Sequence, residues 1–202
     1  MITKRALDVV VGTTFLVASS PVLAAVAIAI KLDDHGPVIF RQTRVGRHGV
    51  PFELLKFRTM VVGAEDRRDE LQLDNERDGP LFKINADPRI TRVGRLLRET
   101  NLDELPQLLN VLAGTMSIVG PRPALPIEVA DFPAVLRARE QVRPGITGPW
   151  QLQAGTDPSF AAYQRLDLEY VENWTVRMDL RLIAATIKQA TSRLLARTRR
   201  SR

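Results

Sequence analysis

The chain has no cysteine, which excludes disulfides, thiolate catalysis and cysteine metal sites and fits a protein that faces the cytoplasm. Histidine is scarce: His35 and His48 are the two present, and both lie among glycine and proline, where a turn is expected sooner than a metal site or a catalytic base. No internal repeat or low-complexity block occurs. Charge is missing from one long stretch, with no Asp, Glu, Lys or Arg between Val9 and Ile30.

That uncharged run is long enough to cross a bilayer core, which takes roughly 20 residues. Two features oppose a simple span. Pro21 lies near its middle after Ser20; it cannot donate to the carbonyl of Val17, and its ring crowds that carbonyl, at ~3 kcal/mol in a helix interior. A bend is the usual result, and in hydrocarbon the freed carbonyl needs a partner, which the hydroxyl of Ser19 or Ser20 can supply. Both flanks are also basic, with Lys4 and Arg5 before the run and Lys31, Arg41, Arg44 and Arg47 after it, the pattern of the cytoplasmic side. A re-entrant helix, entering and leaving one leaflet, satisfies both; a plain span and a buried or cleaved segment are the alternatives, although no small-x-small cleavage site followed by a polar mature start is evident before Lys31.

The 202 residues carry a net charge of +6 and a pI near 10.3, which favours polyanionic partners such as anionic lipids, nucleotides or nucleic acid without choosing among them. Length allows one ordinary domain beside the membrane segment. Val38–Gln42 and Phe52–Arg58 read as strands joined through the turn-rich Gly46-Arg47-His48-Gly49, a hairpin. Alternation then puts Lys56 and Arg58 on one face, as a phosphate clamp or as the solvated face of an edge strand. Ala64 to Arg77 is densely charged, as a mobile helix or loop would be.

Farther on, Arg89, Arg92, Arg95 and Arg98 recur every third residue, with Ile90, Val93, Leu96 and Leu97 between them. This pattern predicts a basic amphipathic helix at the membrane interface, or a surface helix with arginines in water. Pro106 is tolerated only in a first helical turn, so a helix through Leu108, Leu109 and Leu112 begins near Leu102 or Asp103. Asp103 and Glu104 thus fall at a helix N-terminus, where free N–H groups favour anions. One carboxylate can meet a phosphorus while the other holds Mg²⁺, which takes one or two protein carboxylates plus substrate phosphates. Ordinary acidic residues of a first turn are the alternative.

The motifs form an ordered set. Ser20-Pro21, Lys56-Phe57-Arg58-Thr59-Met60, Asp87-Pro88-Arg89-Ile90-Thr91, Leu102-Asp103-Glu104-Leu105-Pro106-Gln107, Val119-Gly120-Pro121-Arg122-Pro123 and Pro144-Gly145-Ile146-Thr147-Gly148 resemble the bacterial sugar transferase family, the monotopic polyprenyl-phosphate phosphoglycosyl transferases, from about residue 4 to 196. The resemblance implies transfer of a sugar 1-phosphate from a UDP-sugar to polyprenyl (undecaprenyl) phosphate with release of UMP, at the cytosolic face of the inner membrane. It implies Asp103 as nucleophile, Glu104 as the Mg²⁺ ligand, Ser20 and Pro21 as the break in the re-entrant helix, and Pro121-Arg122-Pro123 at the nucleotide end. Lys56, Arg58, Arg98 and Arg122 are the candidate phosphate-binding bases. Anionic lipids are expected partners, nucleic acid is not, and a homo-oligomer stays open.

One motif departs. After Trp150-Gln151 the family commonly has Ser-Gly-Arg-Asn, where this chain has Gln153-Ala154-Gly155-Thr156 and no arginine; Leu166-Asp167, Tyr170–Trp174 and Met178–Leu180 return to the pattern. A final helix from Asp179 to about Ala196 places Leu182, Ile183, Ile187 and Ala190 on an apolar stripe before Arg197, Arg199, Arg200 and Arg202, a tail for the bilayer or for water. The expected architecture is mixed α/β. A re-entrant membrane helix over 1–32 precedes a compact cytosolic catalytic domain over 33–202, built from a small strand hairpin and amphipathic interfacial helices, a minimal catalytic form. Two other functions share these features: a membrane-tethered glycosyltransferase, which would release UDP, and a noncatalytic basic scaffold, which would need neither carboxylate.

Overall fold

The computed structural model describes residues 2–65, 75–76, 78–81, 84 and 86–200, with side chains as far as 192. Most of the charged 64–77 stretch and the arginine side chains of the C-terminal tail lie outside the described residues.

The uncharged run forms part of one helix, α1 (Ile2–Asp34), which ends two residues beyond the expected 1–32 segment. Its buried residues are Lys4, Asp8, Gly12, Val26 and Ile30. Half-buried Leu16, Ser19 and Leu23 complete a stripe at helical spacing, while Val10, Val17, Ile28 and Leu32 point outward. The helix continues through Pro21 because the carbonyl that the proline leaves open is satisfied locally: Ser20 Oγ donates to Val17 O at 2.8 Å. Ser19 Oγ donates to Phe15 O at 2.6 Å.

Both ends of α1 are fastened to the same folded body. Near the start, Lys4 Nζ donates to Asp179 Oδ2 at 2.7 Å, Val119 O at 2.9 Å and the Tyr170 hydroxyl at 3.1 Å. Asp8 Oδ1 accepts from Ser117 Oγ at 2.8 Å and from the Ile118 N–H at 2.9 Å. Arg5 donates to Val111 O and Leu112 O, carbonyls in the last turn of a helix. These two basic residues, expected at a lipid flank, are therefore used inside the protein. At the far end Asp34 forms an ion pair with Arg58.

Strands β1 (Ile39–Val45) and β2 (Pro51–Phe57) form the expected antiparallel hairpin, pairing Ile39 with Phe57 through Val45 with Pro51. Each histidine occupies a turn, at φ 60 for His35 and φ 59 for His48, in the left-handed region that histidine tolerates better than most side chains. Helix α2 (Arg92–Thr100) starts after Thr91, whose side chain accepts from the Gly94 N–H, an N-cap. Arg89 is consequently excluded from the helix. It is buried in the preceding loop, paired with Asp87 at 2.7 Å and donating to Ala64 O, so the arginine ladder of the sequence is not one helical face. Gly94 packs its backbone on the Thr59 carbonyl, leaving no room for a Cβ.

A 3₁₀ turn, Leu102–Glu104, leads through Pro106 into α3 (Gln107–Ala113). Two short strands without a readable alternation, β3 (Ser117–Val119) and β4 (Gly145–Thr147), pair in parallel. Between them lie α4 (Pro126–Ala130) and a 3₁₀ segment, Ala134–Gln141. Helices α5 (Pro149–Gln153), α6 (Phe160–Asn173) and α7 (Val176–Arg200) complete the chain. On α7 the stripe is only partly used: Leu182 and Ile183 pack inward, but Ile187 is exposed. The central cluster gathers Leu54, Leu108, Val111, Met116, Val119 and Tyr170. A second joins Val26 and Ile30 of α1 to Phe57 and Leu97, and a third surrounds Trp150, Tyr163 and Leu166.

Candidate active site

A cavity of about 660 Å³ lies between the hairpin, the α2–α3 junction and the segment after β3. Strand alternation sends Phe40, Gln42 and Arg44 of β1 into it, together with Lys56 of β2 and Arg58 just after that strand. Asn101, Asp103 and Glu104 line it from the α2–α3 junction, and Arg98 from the last turn of α2. Asn101 caps α2 in the left-handed conformation, φ 57, and begins the 3₁₀ turn. That reversal brings Asp103 back toward Arg98.

Asp103 is buried, and its carboxyl is pushed up to about 6 by that burial; Lys56 pulls it down, Glu104 pushes it up again and Arg98 lowers it. Lys56 Nζ donates to Glu104 Oε1 at 2.6 Å. Arg98 Nε donates to Thr59 Oγ1 at 2.8 Å. The dyad and two of its expected cations are thus brought together. Arg58 reaches the same cavity but is otherwise engaged, since its Nε donates to Pro37 O and its two terminal nitrogens to Asp34. Lys56 and Arg58 share a face as expected, yet each has its own acidic partner.

Arg122 lines the far end of the cavity, 3.2 Å from Glu128 Oε2. Burial pushes the Glu128 carboxyl up, but Arg122 and the Leu125 N–H, which donates at 2.7 Å, hold it below its usual range. Pro121 and Pro123 are buried and act through their backbones: Pro121 O accepts from the Gly145 N–H at 2.8 Å and Pro123 O from Arg44 at 2.9 Å. Arg44 is a site residue the sequence reading missed as such, having counted it only among flanking charges; its place in the Phe40-Gln42-Arg44 alternation was the available signal. Burial, with the like charge of Arg122, lowers its guanidinium to about 10. Asp34, Asn101 and Glu128 were also missed, and no local pattern marks them.

The donor set fits Mg²⁺. Asp103 and Glu104 offer adjacent hard oxygen ligands at the cavity wall, the number Mg²⁺ usually takes from protein when phosphates and water supply the rest. Among the described residues no cluster of three or more His, Asp or Glu forms a closed metal cage. The divergent Gln153-Ala154-Gly155-Thr156 segment runs from the end of α5 into a turn, half-buried only at Ala154, with Thr156 N donating to Gln153 O at 2.8 Å. It does not line the cavity, though Trp150 just before it does.

The chain matches the family described as Bacterial sugar transferase over residues 1–193. It is 42% identical over 192 residues to the UDP-glucose:undecaprenyl-phosphate glucose-1-phosphate transferase of Caulobacter vibrioides, covering 91% of this chain and 68% of that one. A protein of the same description from Escherichia coli is 41% identical over 192 residues, 91% of this chain and 39% of its own. The exopolysaccharide production protein ExoY of Sinorhizobium fredii is 38% identical over 190 residues, 92% of this chain and 84% of its own. The chain therefore spans about two fifths of the length of the Escherichia coli relative and most of ExoY.

Proposed function

Because the chain belongs to the bacterial sugar transferase family, we propose that it transfers a sugar 1-phosphate from a UDP-sugar to polyprenyl phosphate and releases UMP, the first membrane step in building a polysaccharide or glycoconjugate. The observation that carries the reading is Asp103, a buried carboxyl at a cavity wall with Lys56, Glu104 and Arg98 around it. A carboxylate so placed can act as a nucleophile toward phosphorus, with Lys56 and Arg98 at hand to offset the charge of the phosphates.

In the first half-reaction an oxygen of Asp103 attacks the β-phosphorus. The bond from that phosphorus to the bridging oxygen breaks, and UMP leaves with the oxygen. In the second half-reaction a phosphate oxygen of the lipid attacks the same phosphorus, the acyl-phosphate bond breaks and Asp103 is restored as carboxylate. Lys56 and Arg98 supply positive charge where the two anions meet, and Asn101 aims Asp103 toward Arg98. When bound through Glu104 with Asp103 beside it, Mg²⁺ offsets the charge of the diphosphate.

The membrane reading is a re-entrant α1 on the cytosolic face. It is supported by the fastening of Lys4 and Asp34 to one body, which a helix with its ends on opposite sides of a bilayer could not make. The outward Val10, Val17, Ile28 and Leu32 give it a lipid-facing side, and the net charge of +6 favours anionic headgroups.

The test is the leaving group. Purified protein with Mg²⁺, undecaprenyl phosphate and a panel of UDP-sugars releases UMP from the correct donor. UDP as the primary product marks a glycosyltransferase, and no release from any donor returns the chain to a scaffold.

A further inference from the structure

The cavity is not uniform along its length. Phe40, Gln42 and Arg44 mark successive levels of β1 on one face, and four residues of strand separate the first from the last by ~13 Å. At the Arg44 end the lining is Arg44, Arg122, Glu128 and Trp150. Toward the Phe40 end the lining adds apolar Pro37, Phe57 and the consecutive Met60, Val61 and Val62 to the charged Lys56, Arg58 and Arg98. Lys56, the register partner of Phe40, places the dyad at this second end through its bond to Glu104.

The apolar end is also the end nearest the membrane helix. Pro37 follows α1 by three residues, Arg58 holds Asp34, and Phe57 packs against Val26 and Ile30. Val61 and Val62 are exposed, Val62 at 67%. Backbone bonds hold this segment against the loop before α2: Val61 N donates to Arg89 O at 2.9 Å, and Met60 bridges to Ile90. An anionic ligand with an apolar tail matches both parts of this end. Its phosphate meets Lys56 and Arg98, and its tail meets the valines.

From this juxtaposition we infer that Met60, Val61 and Val62 form the acceptor subsite, on which the first isoprene units of polyprenyl phosphate lie as its phosphate approaches Asp103 from the α1 side. The inference rests on the transferase reading and adds where the acceptor binds. The nucleotide then extends toward the Arg44–Arg122 end and the acceptor's tail toward the valines, while the acceptor phosphate takes the place that UMP vacates, because in-line displacement puts the leaving and entering oxygens both opposite the Asp103 oxygen.

Two measurements test it, one without turnover. The chain has no cysteine, so Val62→Cys carries a single environment-sensitive fluorophore on the full protein in phosphatidylcholine nanodiscs. Undecaprenyl phosphate should shift its emission to the blue, while UDP-glucose and undecaprenol should not. No shift, an equal shift with undecaprenol, or emission already blue and unmoved by undecaprenyl phosphate each overturns the subsite, the last by marking the rim as simply immersed in lipid. In turnover, Val61→Ser with Val62→Ser should raise the KM for undecaprenyl phosphate by at least about tenfold, the order expected for losing a buried valine's apolar surface, and far more than the donor KM. Equal changes in both KM values overturn the inference. Absence of UMP from the unmodified protein defeats the transferase reading instead, and the label at position 62 still reports whether the lipid phosphate binds there.

Discussion

Lys56 on β2 and Glu104 in the turn before α3 meet across 48 positions of sequence, Nζ to Oε1 at 2.6 Å, with both side chains only partly exposed. The pair engages the second carboxylate of the dyad and leaves the lysine's charge beside Asp103, whose proton it helps to remove. One lysine thereby acts on both acids.

The pH dependence of the donor half-reaction follows from Asp103. Burial raises its carboxyl to about 6, against the opposing pull of Lys56, and only the ionised form attacks phosphorus. Above that value the UMP-forming kcat/KM is level. Below it the nucleophile protonates, and the rate falls about tenfold per pH unit. A pH–rate profile of UMP release checks this; a profile level to about pH 4.5 contradicts it.

Lys56→Met removes the charge that lowers the Asp103 proton affinity. The acidic limb should therefore move to higher pH, and activity at neutral pH should fall by on the order of 100-fold. Lys56→Arg should return the limb part of the way. A lower rate with an unmoved limb would mean that Lys56 acts on substrate phosphate alone.

The two acids should separate on substitution. Asp103→Asn is expected to bind the UDP-sugar in the presence of Mg²⁺ yet give no phosphosugar adduct by intact-protein mass spectrometry, whereas Glu104→Gln should raise the Mg²⁺ concentration needed for half-maximal turnover. An adduct on the Asp103→Asn protein refutes the assignment of the nucleophile.

Lys4 tests how α1 is anchored. Its ammonium is buried against Asp179, Val119 O and Tyr170, so Lys4→Met leaves a buried carboxylate without its cation and should cost about 3 kcal/mol. In nanodiscs this appears as a fall in Tm of roughly 10 °C. An unchanged melting temperature would show that the Tyr170 hydroxyl and the Trp174 N–H, both bound to Asp179, suffice without the lysine.

Topology turns on Ser20 and Pro21. Single cysteines at Thr3 and Asp33 should both label from the cytoplasmic side of inverted vesicles. Replacing Ser20 and Pro21 by Leu removes the proline and the hydroxyl that satisfies the carbonyl it opens, and should send a fraction of molecules across the bilayer. Labelling of the two positions from opposite sides in the unmodified chain defeats the re-entrant reading.

The sequence by itself determined the elements whose causes are local. An uncharged run made α1, and Ser20 met the carbonyl opened by Pro21 one turn back. Alternating residues around a Gly-rich turn made the hairpin, whereas α3 begins at Gln107, after Pro106, instead of near Leu102 or Asp103, which leaves Asp103 and Glu104 in a separate 3₁₀ turn before it. Each of these depends on neighbours within a turn or two. The tertiary structure alone decided which charge meets which. Arg58, equivalent to Lys56 in strand alternation, is claimed by Asp34 from the end of α1. Arg89, one step of an apparent ladder, is buried on Asp87 because Thr91 starts the helix after it. The parallel pairing of β3 with β4 joins segments too short to show a period. Periodicity assigns a side chain to a face, but an arginine's partner is fixed by what that face is folded against, and a local pattern holds no information about a carboxylate many residues away.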